Sequence, residues 1–158
     1  MKKYIFISII CFTFVSTAVV YGQTNRLWSV YGIDNHFVYW YDSTDVKSLG
    51  KNTYSCWIKV TPFPDSLATI RNTMMQLYNP MSKKMSNKLN NGGYDRYAYT
   101  MNKVQIDCAG AKLTYLNNID HDEENTAIRS QEVKKKDMVW QSVVPGSLGG
   151  TLMKKVCH

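Results

Sequence analysis

YDRYAYTMNKVQIDC, residues 94–108, is the longest stretch of the chain that reads as extended backbone, and it ends on a cysteine. Tyr97, Tyr99 and Met101 share one parity; Val104, Ile106 and Cys108 share the other. Each set alternates with smaller or more polar side chains, which is the period-two pattern of a half-buried strand. The parity changes at Asn102-Lys103. Either a bulge there turns both apolar sets toward one core, or the stretch is two strands with a bend. A central strand of this kind needs partners on both sides, and the flanking sequence supplies several.

On the amino-terminal side, RLWSVYGI (26–33) and HFVYWYD (36–42) are short aromatic runs joined by Asp34-Asn35, residues that tolerate left-handed geometry, so a hairpin is expected. Trp28 and Val30 share one face, as do Phe37, Tyr39 and Tyr41. Residues 42–52 are polar, contain Gly50 and read as a loop. YSCWIKV (54–60) is the next strand, with Tyr54, Cys56, Ile58 and Val60 facing the core. Pro62 and Pro64 end it. Ser66 is placed to cap a helix running to about Tyr78, because Leu67, Ile70, Met74, Leu77 and Tyr78 form one stripe. Asn79-Pro80 is expected to stop that helix. The Met74-Met75 pair reads as core packing. Residues 81–93 are mostly polar; a continued helix is the alternative there, but the segment closes on Asn-Asn-Gly-Gly, a mobile turn before the central strand.

Beyond Cys108, Ala109-Gly110 permits a hairpin and residues 111–116 return as a strand, with Leu113 and Tyr115 on one side. Residues 117–125 (NNIDHDEEN) are acidic and show no packing pattern. Residues 126–133 read as another strand, Lys134 to Asp137 as a solvated turn, and Trp140 as an anchor against the core. Ser147 is a plausible cap for a last helix with Leu148, Leu152 and Val156 on one face and Lys154-Lys155 at its carboxyl end. Gly149 and Gly150 weaken it, so packing or a bridge at Cys157 must hold it. The class is α+β: a small antiparallel β-sheet of about six strands packed with one or two helices. No second domain and no internal repeat is visible, so one domain over 23–158 is expected.

MKKYIFISIICFTFVSTAVVYG, residues 1–22, has two lysines, an apolar run and then small residues, the layout of a secretory signal peptide. Cleavage after Gly22 and after Ala18 both satisfy the small-residue rule. Cys11 lies inside the apolar run and does not fit lipid attachment. The run is short for a retained anchor, and no other stretch is long and apolar enough to span a bilayer. Loss of Lys2 and Lys3 lowers the formal charge from +7 to +5. The expected location is periplasmic, secreted or cell-surface. Three cysteines then remain, Cys56, Cys108 and Cys157, in a compartment that permits a disulfide; they allow three single-bridge pairings, and spacing alone does not choose among them.

The chain has no glycine-rich phosphate loop, no HExxH, no GxSxG and no CxxC. Cys157-His158 at the chain end is a poor setting for a nucleophile and its base. His121, Asp122 and Glu124 are a weak candidate for a metal site or a metal-dependent enzyme, without calcium-loop spacing. The expectation is a protein that is not an enzyme and uses no cofactor. Four tryptophans and eleven tyrosines are many for 158 residues. Trp40 is out of parity with Tyr39 and Tyr41, and Trp57 with Cys56 and Ile58. Those rings face either a second covering layer, with a helix on each side of the sheet, or another subunit or ligand. Lysines cluster at Lys83, Lys84 and Lys88, at 134–136 and at Lys154-Lys155. Such clusters attract polyanions, and export makes nucleic acid a poor partner.

Four stretches together resemble the surface-adhesin protein E-like family of Gram-negative bacteria: YWYD (39–42), YSCWIKV (54–60), VQIDC (104–108) and the ending VWQSVVPGSLGGTLMKKVC (139–157), behind a signal peptide. The resemblance covers nearly all of the mature chain, and residues 61–93 fit it least. It implies a small antiparallel sheet with helical packing and a bridge between Cys108 and Cys157, which leaves Cys56 as a buried free thiol. It also implies an adhesin of host matrix and serum proteins that can dimerise, although many relatives look like plain periplasmic proteins. The expected function is therefore an exported adhesin-like module. It would bind a protein, glycan or surface polymer through an aromatic sheet face (Trp40, Trp57) and a basic rim (Lys83, Lys84, Lys88). The alternative is a structural envelope protein that acts by homodimer assembly.

Overall fold

The computed structural model of the protein describes residues 26–84 and 93–157, with side chains as far as Tyr78 in the first range. The proposed signal peptide and Lys88 lie outside these residues, as do the side chains of Lys83 and Lys84. Eight strands form one antiparallel sheet: β1 (Trp28–Ile33), β2 (Phe37–Asp42), β3 (Lys47–Gly50), β4 (Thr53–Pro62), β5 (Tyr97–Asp107), β6 (Lys112–Asp122), β7 (Ala127–Glu132) and β8 (Gln141–Ser142). The main path runs β1-β2-β4-β5-β6-β7, while β3 pairs with β4 and β8 with β6. The path has the six strands read from sequence; β3 and β8 are short additions to it. Within the stretch 94–108, residues 97–107 take the central place expected of it, since β5 pairs with β4 and β6 over almost its whole length, while Gly93–Arg96 form a 3-10 turn instead of extended chain.

Two helices, α1 (Pro64–Lys84) and α2 (Leu148–Val156), cover the sheet. Both lie on the same side. Residues 100–107 pair with β4 without a break, so Thr100, Asn102, Val104 and Ile106 point one way. Leu152 and Val156 of α2 pack with Cys56, Ile58, Val104 and Ile106 at one end of that side. At the other end, Leu67, Ile70, Met74, Met75 and Tyr78 of α1 pack on Tyr94, Tyr97 and Ile128. Hydrogen bonds join this second cluster to the same face: Tyr94 donates to Asp120 (2.8 Å), Thr100 donates to Asp120 (2.7 Å), and the Tyr97 hydroxyl lies 2.8 Å from that of Thr100. The arrangement with one helix on each face is thus overturned.

α2 is held three ways. Its cap is Ser147, whose hydroxyl accepts from the Gly150 amide at 3.1 Å. Its carboxyl end is tied by a disulfide from Cys157 to Cys108 at the end of β5, with Cα atoms 5.9 Å apart. Its glycines allow close approach: a Cβ on Gly150 would stand 2.8 Å from the Val144 carbonyl oxygen. In the same way a Cβ on Gly32 would overlap the Leu148 side chain.

Five local expectations are corrected. The bulge in β5 falls between Tyr97 and Tyr99, not at Asn102-Lys103, so Tyr97 turns to the helix side while Tyr99 and Met101 face away; the irregularity near Lys103 is an extra residue, Leu116, in β6. The backbone of α1 continues through Asn79-Pro80, since a proline removes one helical hydrogen bond without obliging the chain to stop. β6 runs on to Asp122, through the acidic stretch that lacked a packing pattern. Asp120 and Asp122 are buried there because Tyr94, Thr100 and backbone amides satisfy them. The loop at 42–52 contains the exposed strand β3. Trp140 is exposed rather than anchored in the core.

Candidate functional site

The side of the sheet away from the helices carries the aromatic residues with the unexpected parity. Across the strands, Val30 of β1 stands opposite Trp40 of β2, Trp40 opposite Lys59 of β4, and Lys59 opposite Met101 of β5. One row along, Trp57 stands opposite Lys103. Antiparallel register brings such neighbours to about 4.5–5.5 Å between Cβ atoms, so a cation in one strand meets a ring in the next.

The result is a continuous ladder. The Lys103 ammonium lies 5.3 Å from the Trp57 ring centre, and the Arg26 guanidinium lies 5.4 Å from Trp57 and 5.9 Å from Trp28. Lys59 follows, at 4.9 Å from Trp28, 5.7 Å from Trp40 and 5.5 Å from Tyr99. Tyr99 then stacks on His121 at 4.7 Å. The rings attract each cation through their quadrupoles.

The three cations differ in their other partners. Arg26 pairs with the buried Asp42 at 3.7 Å. Lys103 donates to Asp45 at 2.9 Å, and Lys47 pairs with Asp45 from the other side. Partial burial acts to raise Asp45, but the bonds from Lys47 and Lys103 outweigh it and hold the carboxyl below its ordinary value. Lys59 faces no carboxylate among the described residues, and partial burial alone draws its pKa down. The Trp40 indole nitrogen makes no hydrogen bond within the described protein. That nitrogen is buried, so what the face offers is half-buried flat rings and an uncompensated positive charge.

Of the residues singled out in sequence, Trp40 and Trp57 come together on this ladder. Lys83 and Lys84 end α1, whose packed residues lie on the opposite side of the sheet. The positive charge beside the tryptophans comes instead from Arg26, Lys59 and Lys103. Sequence reading missed all three as a group because they are isolated residues on three strands, and only strand register unites them. His121, Asp122 and Glu124 do not converge. His121 faces the ladder side with Tyr99, while the neighbouring Asp122 points the other way, pairs with Arg96 at 3.3 Å and accepts from the Glu124 and Thr126 amides. Glu124 pairs with Arg96 at 3.0 Å. No three His, Cys, Asp or Glu side chains gather as a metal site among the described residues. Cys56 is a buried free thiol, and burial pushes it up to about 12, far from a nucleophile's range. No described helix is long and apolar enough to cross a membrane, which says nothing of a β-barrel.

No curated protein shows a match to this chain. Among solved structures, it is similar to the selenomethionine form of protein E from Haemophilus influenzae, with 12% identity and a TM-score of 0.45 over 84% of this chain and 93% of that one. Residues 28–158, which include every strand, both helices and the disulfide, match the family model for surface-adhesin protein E, and the chain belongs to that family.

Proposed function

We propose that the protein is an exported, non-enzymatic, adhesin-like module, freed of residues 1–22, that binds an acidic protein or anionic surface polymer on its helix-free sheet face. One observation carries the reading: Trp28, Trp40, Trp57 and Tyr99 are interleaved with Arg26, Lys59 and Lys103 on an uncovered surface. Planar rings supply contact area at little entropic cost, and the charges steer and register an anionic partner. Family membership supports an adhesin-like role facing the outside of the cell.

The test is retention on immobilised heparin, used as a sulfated-polysaccharide probe, across a salt gradient. Wild-type protein should elute at higher salt than Lys59→Met and Trp57→Ala. Charge reversal at Lys83, Lys84 and Lys88 tests the basic rim in the same way. If that triple variant loses retention while the ladder variants keep it, the contact surface is the α1 end and not the sheet.

The assembly reading has one observation in its favour. β1 is an edge strand, and Leu27, Val30 and Ile33 on or beside it are exposed. Sedimentation over a wide concentration range should then show a dimer that Val30→Lys disperses; a monomer at every concentration removes this reading.

A further inference from the structure

On the helix side of the sheet, a cavity of about 350 Å³ lies beside α2, between that helix with the segment leading into it and the strands. Its floor is Ile58, Val60, Val104 and Asn102; its walls include Leu148 of α2, Leu113 and the rings of Tyr31, Tyr39 and Tyr115. The size lies at the small end of the range for ligand pockets, roughly 300–1,000 Å³. Gly149 stands on the α2 wall, where an added Cβ would come within 3.2 Å of Leu113 and narrow the space.

The polar groups on this cavity are all uncharged. The Tyr31 and Tyr115 hydroxyls have no hydrogen-bond partner among the described residues, and the Tyr39 hydroxyl donates to Asp34 at 2.7 Å, outside the lining. Asn118 donates to the Asn102 side-chain oxygen at 2.8 Å, which fixes that amide and leaves its NH₂ as a donor. Gln141 and Ser142 add an amide and a hydroxyl at the rim. Burial raises Tyr31, Tyr39 and Tyr115, so the three phenols remain neutral donors at any physiological pH. No Asp, Glu, Lys, Arg or His lines the space.

This combination selects a ligand class. An ionised ligand would lose its hydration and meet no counter-charge. A wholly apolar ligand would cover the free hydroxyls and amide and leave them unpaired. A ring with apolar faces and hydroxylated edges satisfies both requirements, stacking on tyrosine while its edges exchange hydrogen bonds. We propose that this cavity between α2 and the sheet is a second binding site, for a neutral saccharide of one or two rings. It is separate from the cationic ladder, because the sheet lies between them.

The experiment is a ¹H–¹⁵N NMR titration of the mature protein with glucose, galactose, N-acetylglucosamine and lactose, with the anionic sugar N-acetylneuraminic acid and the apolar probe indole as comparisons. At least one neutral sugar should give saturable shifts at the Leu113 and Gly149 amides and the Asn102 side-chain amide, with a dissociation constant of ~1 mM or tighter. Tyr115→Ala should weaken that binding at least tenfold, and Tyr115→Phe, which removes only the hydroxyl, should weaken it less. Tyr115 is surface-accessible, so both variants should fold; an unchanged spectrum away from the cavity checks this. The proposal is overturned if no neutral sugar moves those signals, if indole or the anionic sugar saturates them instead, or if Tyr115→Ala binds as wild type does.

Discussion

Cys56 and the buried tyrosines give individual residues a measurable pH signature. Burial pushes Cys56 up to about 12 from 9.0, and Tyr97 up to about 12 from 10.0. Each group keeps its proton in the folded state after the unfolded chain has lost it. The stability it contributes is complete below the unfolded pKa and is lost as pH rises toward the folded one, at ~1.4 kcal/mol per pH unit per group. Between about pH 9 and 10 the thiol leads and the tyrosines join above that. Lys59, drawn downward, acts with the opposite sign in the same alkaline range. The Cys56→Ala variant should therefore start less stable, by ~1–2 kcal/mol for the lost packing, yet fall less steeply from pH 9 to 10 in urea titrations. Equal slopes would mean that the thiol is not buried as described. Gly150 allows a second decision between effects. Alanine would gain ~1 kcal/mol in helix propensity, but its Cβ would meet a backbone oxygen that cannot swing aside. Gly150→Ala should thus lower stability by ~1–3 kcal/mol in thermal or urea melts; a stabilised variant would contradict the close approach.

Among the elements, α2 and the ladder face carry different burdens. α2 spans nine residues, too short to stand alone, so its cap and bridge matter. Ser147→Ala should cost ~1 kcal/mol. Opening the disulfide, which closes a separation of 49 residues, should cost ~2–4 kcal/mol, read as a lower urea midpoint under reductant. The ladder is expected to behave otherwise. Lys59 gains from three rings but is partly desolvated with no carboxylate partner among the described residues, so the two terms oppose each other. Lys59→Met keeps the apolar stem and should change stability by less than ~1 kcal/mol, while heparin retention falls. A large loss of stability with retention unchanged would make the ladder a structural zipper. Asp45 has the acid-side signature: its depressed pKa stabilises the fold above the unfolded value of ~3.9 and ceases to do so as pH falls through the folded one. Asp45→Asn should flatten the acid limb of the stability curve.

At the scale of the molecule, what could be read in the sequence followed distance along the chain. Period-two stretches gave β1, β2, β4 and the central β5, and the Ser147 cap with its apolar stripe gave α2. The odd parity of Trp40 and Trp57 already showed that some rings must leave the core. What escaped depended on partners far away. Asp120 and Asp122 looked like solvated acids because Tyr94, Thr100 and Arg96 lie 20 or more residues earlier. The bulge beside Tyr97 depends on the β6 partner, and nothing local marks it. Arg26, Lys59 and Lys103 are unremarkable one at a time and form a site only through the register of three strands. The placement of both helices on one side, which leaves the opposite face open, is a choice of topology that amphipathic patterning does not make.

That open face is the central claim, and the four tryptophan indole N–H signals report on it directly. During titration with heparin fragments, the signals of Trp28, Trp40 and Trp57 should shift together and saturate, while that of Trp140, outside the ladder, stays in place. Saturable binding that leaves those three signals unmoved, or no binding at low salt, would contradict the account.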